Sequence, residues 1–202
     1  MNRKKILAAL LALTVSLSLA ACSDSSLPET EDTETNPPSV QSAADEVEQE
    51  SIESDSKRVA SDGADMQTED KTMPTRKLPE NGTRIHMYFG DTVIPGVLND
   101  SDTAKALIEQ LPVTVHMSRY SHDFCGSASD LDLPYNEDEV HFGWLNGDID
   151  YAIDAPWFTI LFEDEDVSEQ YGYQVNIGVI DCPLSEISSL GGSYDVLIEL
   201  AE

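Results

Sequence analysis

Residues 1–87 contain no Phe, Trp or Tyr; all 14 aromatics fall between Tyr88 and Tyr194. A stretch without aromatics and with few branched apolar residues cannot bury enough surface to offset the entropy lost on ordering. Residues 23–80 fit that description and hold 16 acids against 5 bases, with much Ser, Thr, Gln and Pro. They read as a disordered tether. The one helical alternative, over residues 43–52, has helix-favouring Glu but no apolar stripe to pack it. Basic residues are scarce further on: residues 82–202 carry only Arg84, Lys105 and Arg119 against 23 acids. That excludes a nucleic-acid partner, since phosphate binding rests on Lys and Arg, and it disfavours direct docking on anionic headgroups. The high negative charge keeps an exposed domain soluble. The chain also lacks an apolar run of the roughly 20 residues that a transmembrane helix needs. Its longest uncharged apolar stretch, residues 6–19, is shorter.

That stretch follows Arg3, Lys4 and Lys5 and ends in Leu19-Ala20-Ala21-Cys22. A positive start, a short apolar run and small residues before a cleavage point make a signal peptide. The cysteine directly after the small pair resembles the lipobox of bacterial lipoproteins. The resemblance implies cleavage before Cys22, a lipid on its sulfur, and an extracytoplasmic protein attached to the cell membrane through that lipid. The three expected segments are then a signal peptide (1–21), a lipid-anchored acidic tether (22–81) and a folded domain (82–202). A tether of this length spans roughly 40–45 Å as a flexible coil.

Cysteine is otherwise sparse: only Cys125 and Cys182 remain. Outside the cytoplasm they either pair or stay as two buried thiols, and sequence leaves both readings open.

The folded part alternates in short apolar segments. Residues 84–89 read as a strand with Ile85, Met87 and Phe89 on one face. Gly90-Asp91 turns the chain into a second strand over residues 92–98, where Pro95-Gly96 marks an edge or a bulge. Asn99-Asp100-Ser101-Asp102 supplies helix caps. Ala104, Leu107, Ile108 and Leu111 follow at helical spacing, and Pro112 stops the helix. A strand over 113–117 comes next, and then a long polar stretch over 121–140. Further strands are expected over 141–144, 148–153, 157–162, 173–180 and 194–200. A short helix over 183–190 is closed by Gly191-Gly192. Within 157–162, Phe158, Ile160 and Phe162 share the inward face. Many short strands with one or two helices predict a mostly β, α+β domain built as a barrel.

The order of these segments resembles the cyclophilin-like family of small bacterial domains. The resemblance is carried by Leu98-Asn99-Asp100, Thr103-Ala104-Lys105-Ala106-Leu107, Leu111-Pro112, Gly147-Asp148-Ile149-Asp150-Tyr151 with Pro156, Ile177-Gly178-Val179-Ile180 and Val196-Leu197-Ile198-Glu199. It implies a closed cyclophilin-like β-barrel of about eight strands with helices at its ends. Cyclophilin isomerases carry a catalytic arginine in a Phe-His-Arg context, and neither Arg84 nor Arg119 sits in one. The expected activity is therefore binding of a peptide, a protein or a small molecule rather than catalysis. A surface prolyl isomerase or folding factor with a rearranged site around Arg119 is the alternative. The candidate ligand-binding residues are Arg119, Tyr120, Trp144 and Tyr151, as aromatics and a cation able to line a pocket. His122 with Cys125 is a conceivable nucleophile pair, read as part of a loop. The carboxylate runs 163–166 and 137–139, with Asp130 and Asp132, give a further alternative, an acidic cation-binding surface, because hard cations take oxygen ligands. None has an EF-hand order, so no specific metal site and no cofactor is expected. His86, His116 and His141 fall in separate strands and form no ligand set.

Overall fold

The computed structural model describes residues 58–63 and 67–202. The signal segment, Cys22, most of the tether and the helical alternative over 43–52 lie outside the described residues.

Nine strands and two helices follow in chain order. They are β1 (Thr83–Phe89), β2 (Thr92–Leu98), α1 (Asp102–Gln110), β3 (Val113–Arg119), β4 (Asp123–Ser127), β5 (Val140–His141), β6 (Asp148–Ala152), β7 (Trp157–Leu161), β8 (Gln174–Ile180), α2 (Leu184–Ser188) and β9 (Ser193–Leu200). Eight of the strands run in the order β2-β1-β9-β3-β4-β7-β6-β8, every pairing antiparallel, and β8 pairs back onto β2. The result is the expected closed barrel of eight strands, with short β5 added beside β8. Closure leaves no long exposed edge.

The interior is filled by the predicted faces. Ile85, Met87 and Phe89 of β1 are buried in one apolar cluster with Phe158 and Ile160 of β7, and Val196 and Ile198 of β9. Phe124 lies at the centre of an aromatic group, 5.0 Å from Phe89, 6.2 Å from Phe162 and 5.9 Å from Tyr194 between ring centroids. Helix α1 begins where expected: the Ser101 hydroxyl accepts from the Ala104 amide at 3.1 Å, satisfying one of the helix's orphan donors. Ala104 and Leu107 close one side of the barrel interior.

Several expectations are corrected. Residues 121–140 are not one loop, because β4 lies inside them. Its sequence, Asp123-Phe124-Cys125-Gly126-Ser127, hides the strand. Gly126 is there for space, since a Cβ on it would collide with the His116 carbonyl on β3. The strand expected over 141–144 shrinks to the two residues of β5. β2 is not an edge strand, for it pairs with β1 along its length and with β8 from Gly96 to Leu98. Pro95 falls just before the β8 pairing begins, so its missing N–H breaks no ladder bond, and its carbonyl accepts from Asp181 instead.

The folded unit also starts well before residue 82. The described stretches 58–63 and 67–80, here together called the strap, lie against the outside of the barrel. Ala60 donates to the Phe142 carbonyl at 2.8 Å, Phe142 to the Arg58 carbonyl at 3.0 Å, and Thr75 to the Asn146 carbonyl at 2.7 Å. The outward-facing Val97, Leu161 and Val179 are buried although they are not part of the interior cluster, and Val179 pairs with both Val97 and Asp148, the residue that Arg76 of the strap holds. Outward faces of a small barrel normally meet water, so this covering locates the strap's docking face.

Leu107 is fully buried, and Leu107→Ala should cost about 2–5 kcal/mol. Urea unfolding should show a lower midpoint at unchanged slope; a loss under about 0.5 kcal/mol, typical of surface positions, would mean that α1 does not close the core.

Candidate functional site

Strand β6 alternates Asp148, Ile149, Asp150, Tyr151. Ile149 and Tyr151 belong to the interior cluster, so the two carboxylates point outward. Both are nevertheless completely buried, and an ionised carboxylate out of water needs a partner. For Asp148 the strap supplies it. Arg76 Nε donates to Oδ1 at 2.7 Å and Nη2 donates to Oδ2 at 2.8 Å, a two-pronged geometry available to guanidinium and not to ammonium. The Leu145 amide adds a third bond to Oδ2 at 2.9 Å.

Asp150 is less well served. A bulge between β6 and β8 pairs Ile149 with Gly178 and Asp150 with Asn176, leaving Ile177 unmatched. The Asn176 amide fills the gap, donating to Asp150 Oδ1 at 2.9 Å and to the Gly178 carbonyl at 2.8 Å. Asp150 Oδ2 is buried with no hydrogen-bond partner. Burial pushes the Asp150 carboxyl well above its ordinary range, and the neighbouring charge of Asp148 adds to this, with Arg76 and Asn176 opposing.

His141 stands beside this pair on β5, 7% exposed, with neither ring nitrogen in a hydrogen bond of normal geometry. Burial holds its imidazole below the ordinary histidine value, favouring the neutral ring, with Asp148 opposing. The Phe142 and Gly143 backbones bond to the ring weakly and favour its charged form.

Three clefts follow the seam between strap and barrel. One of about 430 Å³ lies among Arg58, Ala60, Asp62, Arg76, His141 and Asn176. A second, about 720 Å³, lies among Arg76, Pro79, Asn99, Ser101, Glu139 and Asn176. The third, about 390 Å³, runs from Thr68 and Met73 to Ile180 and Asp181. Arg76 lines all three. Concave space, convergent polar groups and perturbed titration together mark a candidate binding site.

The four residues expected to bind ligand are not brought together. Arg119, at the end of β3, is used up structurally. Its Nη1 donates to the carbonyls of Ser188, the last residue of α2, and Leu190 just after it, at 2.8 and 3.3 Å, and its Nε to the Tyr120 carbonyl at 2.7 Å. A cation suits the carbonyls at a helix C-terminus, and the guanidinium also covers the Phe162 ring at 4.4 Å. Tyr120 is exposed in the β3–β4 turn. Trp144 is buried, with its indole N–H donating to the Glu163 carbonyl at 2.8 Å, and His122 stacks on it at 4.8 Å. Arg119 reaches the same residue through the Glu163 carboxylate at 3.7 Å, so these two share a neighbour, while Arg119 and Tyr120 meet as adjacent residues of the chain. Tyr151 packs inside the barrel.

Cys125 and Cys182 are free thiols, not a disulfide. Burial pushes both up to about 12, so neither is a ready nucleophile, and the His122–Cys125 pairing is not formed: His122 turns to Trp144 and to Asp164 at 3.8 Å. Among the described residues no group of three or more His, Cys, Asp or Glu is placed to hold a metal ion.

The sequence reading missed Arg76, Asp148, Asp150, His141 and Asn176 as a set. One signal was available: two acids at alternate positions in a strand flanked by apolar segments. Such acids ordinarily face water, and the strap that covers them belonged to a segment read as disordered.

The family comparison agrees with the fold. The pattern of the cyclophilin-like family matches residues 87–199, more than half of the chain, and the chain belongs to that family. The solution structure of a hypothetical protein from Archaeoglobus fulgidus is similar, with 17% identity, 60% of this chain and 98% of that chain covered, and a TM-score of 0.49. No curated protein matches the chain.

Two outcomes follow from the site's electrostatics. Arg76→Ala strands the fully buried Asp148, and urea unfolding should show a loss of about 3–5 kcal/mol; a loss under about 1 kcal/mol would place this pair among solvent-screened ones. Asp150 binds its proton more tightly folded than unfolded, so the stability it contributes is complete below its ordinary value of 3.8. That contribution is lost as pH rises through the raised folded value. Asp150→Asn should therefore gain on the parent as pH climbs above about 4, read from denaturation midpoints across a pH series. A difference independent of pH would show that Asp150 does not titrate in this way.

Proposed function

We propose that this member of the cyclophilin-like family is a lipid-anchored extracytoplasmic protein whose barrel binds a ligand along the strap seam and does not catalyse. The observation that carries the reading is the buried Arg76–Asp148–Asp150–His141 group opening onto clefts of about 430 and 720 Å³. Its polar groups are arranged to hold and orient, and no activated nucleophile stands among them. The cleft dimensions admit a peptide segment, a protein loop or a small molecule. The location rests on the lipobox-like Leu19-Ala20-Ala21-Cys22 and on the acidic, aromatic-free stretch after it. No helix among the described residues is long and apolar enough to cross a membrane, and a lipid on Cys22 is the proposed membrane contact.

The alternative, a prolyl isomerase built around Arg119, is disfavoured by one observation: the guanidinium already serves Ser188, Leu190 and Tyr120. An isomerase arginine must be able to reach the twisting amide, since only contacts stronger in the transition state accelerate the reaction.

Binding is tested by adding a pool of synthetic linear peptides to the isotopically labelled chain. Amide shifts should concentrate at residues 58–63, 76–80, 99–101 and 176; shifts elsewhere, or none, would remove the binding reading. A Xaa-Pro isomerisation assay should show the uncatalysed rate, unchanged by Arg119→Ala. Marked acceleration that Arg119→Ala abolishes would establish the alternative. Cys22→Ser should abolish lipid labelling and membrane fractionation, and a variant still acylated would sink the anchoring proposal.

A further inference from the structure

The strap makes contacts of two kinds with the barrel, and both are those by which peptides are read. Along its backbone, Thr75 donates to the Asn146 carbonyl at 2.7 Å, Leu184 donates to the Thr72 carbonyl at 2.9 Å, and Ala60 and Arg58 bracket Phe142. Such bonds recognise an extended chain whatever its side chains. The anchoring side chain is Arg76, whose guanidinium meets a carboxylate that is itself fully buried. Room has been left for the chain to lie close. Gly147, at φ +100°, sits beneath Pro74, and a Cβ there would collide with the proline ring.

The wall offers more than the strap uses. Asp150 Oδ2 is buried beside Arg76 without a partner, and neither nitrogen of His141 makes a hydrogen bond of normal geometry. Buried polar atoms in folded proteins are nearly always paired, so a face built only to hold the strap would not leave a carboxylate oxygen stranded beside a loosely bonded imidazole. Charge has the matching sign. Arg58, Lys71, Arg76 and Lys77 are four of the seven bases between residues 58 and 202, and all four lie on the strap. The barrel beneath it is strongly acidic, which draws cationic segments to it.

We propose that the outer wall formed by β6 and β8 is a receptor for an extended, arginine-bearing peptide, and that the strap fills it in cis, with Arg76 in the place of the partner's arginine. The assignment rests on reading this face as the binding site. A partner must displace a segment held at the high effective concentration of an intramolecular contact, so the unaltered chain binds weakly and a chain whose own arginine is missing binds well.

The test uses the full chain carrying Arg76→Ala and a synthetic peptide with the sequence of residues 67–78, alongside the same peptide with its arginine replaced by lysine or by alanine. Calorimetry should show the arginine peptide binding at least about tenfold more tightly than either replacement, a difference of about 1.4 kcal/mol. It should also bind the Arg76→Ala chain more tightly than the unaltered one. Equal binding of the three peptides, or binding of none, overturns the proposal. If circular dichroism shows the variant unfolded, hydrogen exchange in the unaltered chain decides instead. The arginine peptide should speed exchange of the Thr75 amide and the lysine peptide should not; no acceleration, or equal acceleration, overturns it. Peptides lacking arginine that shift the seam amides as strongly would leave the binding reading standing and remove only the guanidinium assignment.

Discussion

Closure of the sheet through β2 and β8 sets the conditions for everything else in the molecule. Three residue pairs, Gly96 with Ile180, Val97 with Val179 and Leu98 with Gly178, join the two ends of the strand order. Gly178 lets the backbones approach, since a Cβ there would crowd the Val97 carbonyl and Leu98. Once the ladder closes, every strand residue faces either inward or outward, and the pleat alone assigns the sides. On β6 it sends Ile149 and Tyr151 in and Asp148 and Asp150 out. An outward carboxylate is unremarkable until something covers it.

The strap is that cover, and it converts a solvated acidic face into a desolvated one. Two charges brought out of water impose a heavy solvation penalty, which an aligned and fully hydrogen-bonded partner offsets. Asp148 receives such a partner and Asp150 does not, so the two neighbouring carboxyls differ in character although the same strand presents them. A buried carboxyl perturbed as Asp150 is recurs at sites that bind or react. Burial acts on the cysteines as well, and with Asp123 near one and Glu186 and Asp181 near the other both thiols stay protonated.

Much of the barrel was legible in the sequence because its inward faces follow the period of two. The β1 series Ile85, Met87, Phe89 and the β7 series Phe158, Ile160, Phe162 were readable from spacing alone, and α1 from its Ser101 cap and its Leu107 face. β4 was not, because Phe124 is its one large apolar residue and Gly126 answers to a close approach that only the folded backbone reveals. Of the expected site residues, Arg119 and Trp144 were sensible choices by residue type, yet α2 and Glu163 occupy their polar groups. The actual polar centre joins Arg76 to Asp148 across 72 positions of chain. A pairing of that range leaves no local pattern, and a strap without aromatics resembles a linker by composition.

The strap also separates two ideas of where this domain begins. Similarity to the family starts at residue 87, while the counter-charge for β6 sits at residue 76. The inherited unit is therefore shorter than the unit that balances its own electrostatics. A barrel begun at residue 82 would keep all of its strands and interior packing, but would carry two carboxyls whose cation had been left on the discarded piece.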